Sequence, residues 1–86
     1  MNIEKTPDGR FALVQGAHRL VLDRSRYEDI FYALPLDSGT LFRLVNDTVL
    51  AEDPSRATFR AMIAEAGGMD RAMTGLQEAA KRVEPS

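Results

Sequence analysis

The residues that could carry out chemistry in this chain are few, and none has a partner at a catalytic spacing. The single histidine, His18, lies beside a predicted turn, whereas a catalytic or metal-bound histidine needs a second group within reach. The absence of cysteine excludes disulfides, cysteine nucleophiles and cysteine-based zinc sites. Gly67-Gly68 lacks the preceding strand and the following lysine of a phosphate-binding loop. We therefore expect no catalytic residue, cofactor site or metal site, and no enzyme.

Length and composition indicate one small globular domain. The chain has 86 residues, 44% hydrophobic and 28% charged, which leaves room for a single core spanning residues 1–86. No apolar run is long enough to cross a membrane, and the N-terminus lacks the pattern of a signal peptide. We expect a cytoplasmic protein. The net charge of −2 argues against general nucleic-acid binding, although residues 1–26 are slightly basic and residues 27–86 acidic.

The clearest local pattern is a hairpin over residues 10–22. Gly16-Ala17 is typical of a two-residue type II′ turn, because glycine stands at the first central position. The resulting register predicts the pairs Phe11–Leu22, Leu13–Leu20, Ala12–Val21 and Arg10–Asp23, the last a pair of opposite charges. Pro7-Asp8-Gly9 predicts a further turn, so residues 2–22 form a hairpin or a three-stranded antiparallel meander.

The rest of the chain predicts three to four short helices, and therefore an α+β fold. The predicted helices span about 25–34, 38–51, 54–66 and 70–83. A capping box, Ser25-x-x-Glu28, starts the first, and Asp37 or Ser38 caps the second. Residues 38–51 also fit a second hairpin around Asn46-Asp47, and we prefer the helix slightly.

The last two predicted helices are joined by a glycine turn. Asp53-Pro54 starts one helix, Gly67-Gly68 ends it, and Asp70 caps the next. Gly75 inside the last helix suggests a close helix crossing. The apolar stripe of the last helix is predicted to contain Met69, Met73, Leu76, Ala80 and Val83.

Residues 63–72 resemble the turn region of bacterial repressor helix-turn-helix motifs, where an alanine and a glycine allow two helices to pack closely. The apolar positions Met73 and Leu76 fall one residue earlier than that family places them. The resemblance implies a DNA-binding regulator that uses residues 54–83, with groove-facing side chains from Arg71, Gln77, Lys81 and Arg82. We favour the simpler interpretation of two helices joined by a Gly-Gly turn.

Our first functional hypothesis is a small protein-binding module, an adaptor or inhibitor that covers a surface of a larger protein or complex. Phage-encoded inhibitors of host defence, including anti-CRISPR proteins, share this size and composition. The predicted contact residues, on the basic and the acidic ends of the chain, are Arg19, Arg24, Arg26, Tyr32, Glu65, Asp70 and Glu78. A homodimer is a further expectation, because any exposed part of the Ala- and Met-rich apolar face of the last two helices could bind a second copy. The outer hairpin face (Arg10, Ala12, Val14, Arg19 and Val21) needs cover from the later helices or from a partner.

Overall fold

The computed structural model describes residues 1–32, 36–49 and 53–83, and they form an α+β fold. A three-stranded antiparallel sheet with the order β1-β2-β3 is followed by helices. Its elements are β1 (Asn2–Lys5), β2 (Phe11–Gln15), β3 (His18–Leu22), α1 (Arg24–Phe31), α2 (Ser38–Arg43), a π-helical stretch (Leu44–Val49), α3 (Asp53–Glu65) and α4 (Met69–Val83).

The predicted hairpin register is confirmed, and β1 completes the meander. Phe11 pairs with Leu22, and Leu13 pairs with Leu20 on one side and with Ile3 of β1 on the other. A type II′ turn requires a positive φ at its first central residue only. Gly16 has a φ of +57°, and Ala17, like every described residue other than glycine, does not have a positive φ. The antiparallel pairs therefore place Ile3, Phe11 and Leu13 on one face, which we call the inner face.

Two expectations at the end of the hairpin are wrong. Arg10 does not meet Asp23 but pairs with Asp8, at 2.8 Å between Nε and Oδ2. Helix α1 starts earlier than the predicted capping box, because Asp23 is its N-cap and accepts from the backbone N–H of Arg26. Ser25 instead donates its hydroxyl to Asp23. An aspartate directly after a strand thus outcompetes a serine two residues later.

Residues 38–49 are helical, so the alternative of a second hairpin is wrong. Asp37 is the N-cap and accepts from Thr40 N–H. Leu41 and Val45 are fully buried, and Phe42 stacks on Phe59 of α3 with ring centroids 5.9 Å apart. The widening to a π-helix at Leu44 was not expected from the sequence.

The turn between α3 and α4 follows the prediction, with small shifts in position. Gly67 and Gly68 have φ values of +101° and +113° and end α3. Helix α4 starts at Met69, so Asp70 lies in its first turn and is not its cap. Met69 is 40% exposed and does not belong to the buried stripe, whose members are Ala72, Met73, Leu76, Ala79 and Ala80.

The core lies between the inner face of the sheet and the helices. Helix α3 packs against β2 and β3, and α4 packs against β1, α2 and α3. From α1, the ring of Tyr27 stacks on Phe11 with ring centroids 3.8 Å apart, so this helix covers one end of the sheet. Gly75 allows a close approach, but to the backbone of Met1 and not to another helix. The predicted end of helix one at Leu34 and the end of the second helix at residue 51 lie outside the described residues.

Candidate functional site

The outer face of the sheet is the side that points away from the main hydrophobic core. We define it as Asn2, Glu4, Ala12, Val14, Arg19 and Val21, which alternate with the inner-face residues along the three strands. Within the described residues, the hydrophobic core includes none of them. Val21 is 43% exposed and Val14 is half-buried, so apolar surface remains open to solvent here.

A salt bridge crosses the outer face from one edge strand to the other. Arg19 of β3 meets Glu4 of β1 at 3.1 Å between Nη1 and Oε2, which spans the intervening strand β2. Glu4 faces Ala12 in the register, and Ala12 is completely buried without contributing to the core. The outer face that the sequence left uncovered thus carries a charged pair across its middle strand and a buried Ala12.

Two predicted contact residues, Arg24 and Arg26, lie in α1, directly after strand β3. Both form ion pairs with residues close to them in the sequence. Arg24 contacts Glu28 at 2.9 Å, and its guanidinium also lies 5.9 Å from the centre of the Phe11 ring. Arg26 pairs with the cap residue Asp23 at 3.4 Å. Tyr32, directly after the helix, is 56% exposed, so the expectation of an accessible aromatic side chain is met.

Glu65, another predicted contact residue, lies at the tip of the hairpin. Its Oε2 atom is 3.5 Å from Nε2 of His18, and both side chains are partly exposed. The same carboxylate lies directly against Gly16, so any side chain at that position would collide with it. His18, the first residue of β3 and on its inner face, thus has an acidic neighbour, which the sequence did not predict.

Helix α4 holds the remaining predicted residues, and its environment does not resemble a recognition helix. Asp70, Arg71, Glu78, Lys81 and Arg82 are exposed and mix both charges. Gln77 is half-buried, donates to the carbonyl of Leu36 at 2.7 Å and accepts from its N–H at 3.1 Å. The amide predicted to face a DNA groove is therefore occupied inside the protein. Because α4 packs on three other elements, only its charged side is accessible.

The predicted residues do not form one patch. Arg19 lies on the outer face, Glu65 lies at the hairpin tip, and Asp70 and Glu78 lie on α4. Glu4, which shares the outer face with Arg19, was not among the contact residues predicted from the sequence. The signal was available, since the turn at Pro7-Asp8-Gly9 places Glu4 opposite Ala12 and close to the outward side of β3.

Among the residues that the structure describes, three aspartates have pKa values below the usual value of 3.8. The Thr6 hydroxyl lowers the pKa of Asp8, the Arg26 backbone N–H lowers that of Asp23, and the Thr40 hydroxyl and N–H lower that of Asp37. Each of these carboxylates caps a turn or a helix start. Their electrostatics are explained by local structure and do not point to catalysis.

Across residues 1–32, 36–49 and 53–83, no three acidic or histidine side chains come close enough together to hold a metal ion. None of the helices in this part of the chain is both long and apolar enough to cross a membrane.

Comparisons with known proteins return nothing for this chain: no protein-family model, no curated protein and no solved structure matches it.

Proposed function

We propose that this chain is a small protein-binding module without chemistry of its own, an adaptor or inhibitor of a larger protein or complex that binds through its outer face. A phage inhibitor of host defence, such as an anti-CRISPR protein, is one form that this function takes. We also propose that it acts in the cytoplasm, in keeping with a chain that contains no cysteine.

The observation that carries the proposal is the contrast between a fully packed inner face and an open outer face. Val21 is 43% exposed there, beside the half-buried Val14 and the Arg19–Glu4 pair. Apolar surface framed by charged side chains is a common feature of protein interfaces. A sheet face is held by the hydrogen bonds between its strands, so the backbone does not have to move before it binds.

Binding to DNA through residues 54–83 is the alternative, and the observations favour it less. Gln77 is engaged with Leu36, and the accessible side of α4 carries Asp70 and Glu78 beside its cations. A negative phosphate backbone would be repelled by these carboxylates. The alternative would require Arg71, Lys81 and Arg82 to bind without help from the rest of the helix.

Affinity purification of the tagged protein from its native host, with and without nuclease, tests the proposal. We expect a companion protein in stoichiometric amount that persists after nuclease treatment. The variant Glu4→Arg removes the partner of Arg19 and places a second cation on the outer face, so we expect it to weaken this binding by about tenfold or more.

Glu78→Arg is the matched control, because it makes the same charge change on the exposed side of α4. It should retain the companion protein. Recovery of the chain alone would overturn the proposal, and so would equal retention by both variants. Loss of the companion after nuclease treatment would favour the DNA-binding alternative.

A further inference from the structure

Strand β3 forms an edge of the sheet, and its outward backbone groups can be identified from the register. Gln15 and His18 flank the two-residue turn, so they form a hydrogen-bonded pair, and so does every second pair after them. The backbone groups of Leu20 and Leu22 therefore point toward β2. Those of Arg19 and Val21 point away from it, toward the free edge.

A helix packs against each edge strand of the sheet, but the two strands differ in the residues that protect an edge. On the β1 side, α4 packs against the strand, and Pro7 follows soon after its end. On the β3 side, α3 packs against the strand, which runs His18–Leu22 and carries the charged Arg19 but neither a proline nor a lysine, the two residues most typical of a protected edge. Its outward-facing Val21 is 43% exposed.

We infer that β3 pairs in antiparallel orientation with β3 of a second copy of this chain, with Val21 facing Val21 across a two-fold axis. In this register Arg19 of each copy stands directly opposite Asp23 of the other. The pairing joins the two outer faces into one continuous surface. This inference does not depend on the proposed function, since a chain that dimerises through β3 can bind a partner or none.

Charge and polarity select this register among the three that are centred on Arg19, Leu20 or Val21. With the axis at Arg19, two arginines face each other, which is unfavourable. With the axis at Leu20, each Arg19 stands opposite an apolar Val21. With the axis at Val21, the two exposed valines cover each other, and opposite charges stand on both sides of them.

Asp23 is suited to this contact although it follows the last residue of β3. Its backbone is extended, with φ of −69° and ψ of 165°, so it continues the direction of the strand. The Arg26 N–H, 2.9 Å away, helps to keep its carboxylate ionised by lowering its pKa. The guanidinium of Arg19 has five N–H donors, enough for Glu4 in its own chain and Asp23 of the second copy.

Single cysteines test the register directly, because the chain contains no cysteine of its own. In a hydrogen-bonded antiparallel pair the Cα atoms lie about 5.5 Å apart, within reach of a disulfide. We expect Val21→Cys to form a disulfide-linked dimer under oxidised glutathione. Arg19→Cys is the matched control on the same face of the same strand, with its two copies offset by about 14 Å in this register.

Val21→Cys should therefore cross-link at least about tenfold faster than Arg19→Cys, which lies beyond the reach of a disulfide. Equal rates would place the axis at Leu20, and faster cross-linking of Arg19→Cys would place it at Arg19; either result overturns the inferred register. Cross-linking of neither variant above the rate of Thr74→Cys, on the exposed side of α4, would overturn the dimer.

Sedimentation equilibrium of the unmodified chain provides a second measurement. The five-residue edge is small for an interface, so we expect a weak dimer whose fraction rises with protein concentration. Val21→Lys places a charge on the axis and should leave the chain monomeric at the highest concentration at which the parent chain is dimeric, with an unchanged circular dichroism spectrum. A parent chain that is monomeric throughout would contradict the inference.

Discussion

The two faces of the sheet are built on different principles. The inner face buries Phe11, Leu13 and Leu20 against Tyr27, α3 and α4, so its stability comes from apolar area removed from water. Of the outer-face residues only Ala12 is fully buried, and the face carries a salt bridge between partly exposed side chains. The inner face thus determines the fold, whereas the outer face can change with little cost to stability. A surface of this second kind is available for binding.

The largest expected effect is a core truncation on the inner face. Phe11 is 1% exposed and stacks on Tyr27, so Phe11→Ala should lower the free energy of unfolding by about 3–5 kcal/mol. Val21→Ala on the outer face should change it by less than about 0.5 kcal/mol. Urea denaturation followed by circular dichroism measures both. If Phe11→Ala does not fold, Phe11→Leu keeps the test possible, and equal effects at the two positions would remove the distinction between the faces.

A smaller effect is expected at the hairpin tip, where the sheet meets α3. Gly16 has a φ of +57°, so Gly16→Ala should cost about 1–3 kcal/mol in backbone strain, and only a small further amount because the carboxylate of Glu65 is the end of a flexible side chain that can move aside. Gly9→Ala is the control, since Gly9 also has a positive φ but no atom within 4 Å of an added Cβ. Adding Glu65→Ala to Gly16→Ala should recover the difference between the two glycine variants. No recovery would show that Glu65 moves away without cost.

Acid should destabilise the chain modestly through the capping aspartates. The folded pKa values of Asp23 and Asp37 are lowered from 3.8, so their stabilising contribution is present above pH 3.8 and is lost as the pH falls through the lower folded value. Thermal unfolding between about pH 5 and about pH 2 should show this loss. The double variant Asp23→Asn/Asp37→Asn should show a shallower dependence on pH in that range. An unchanged slope would mean that these caps are not the cause.

The smallest effect is expected on the outer face. Arg19 and Glu4 are 50% and 52% exposed, so the coupling between them in a double-mutant cycle should be below about 1 kcal/mol, and lower still in high salt. Alanine substitutions at each position, alone and together, measure it by urea denaturation. A coupling as large as the effect of Phe11→Ala would mean that the outer face also holds the fold together.

Much of the fold was predictable because the decisive signals are local. The Gly16-Ala17 turn sets the register of β2 and β3, and the alternation of apolar residues then decides which face is buried. Gly67-Gly68 likewise ends α3 where the sequence predicts. Predicted helix boundaries were displaced where two local signals compete. At the start of α1, for example, Asp23 and Ser25 are both good N-caps.

The candidate site was predictable only in part, because its contacts join residues distant in the chain. Arg19 was named from its charge, but its partner Glu4 comes from another strand. Glu65 reaches the hairpin tip only through the packing of α3 against β3. Gln77 looked accessible from its helical position, and only the path of the chain at Leu36 reveals that its amide is engaged.

The small side chain of Ala12 affects the shape of the outer face. Because Ala12 carries only a methyl group and is completely buried, the side chains of Arg19 and Glu4 can meet across β2 at one level. A leucine at this position would form a ridge along the middle strand and separate the two charges. One small side chain thus leaves no ridge on the middle strand, so that a partner's backbone or helix can approach all three strands at once.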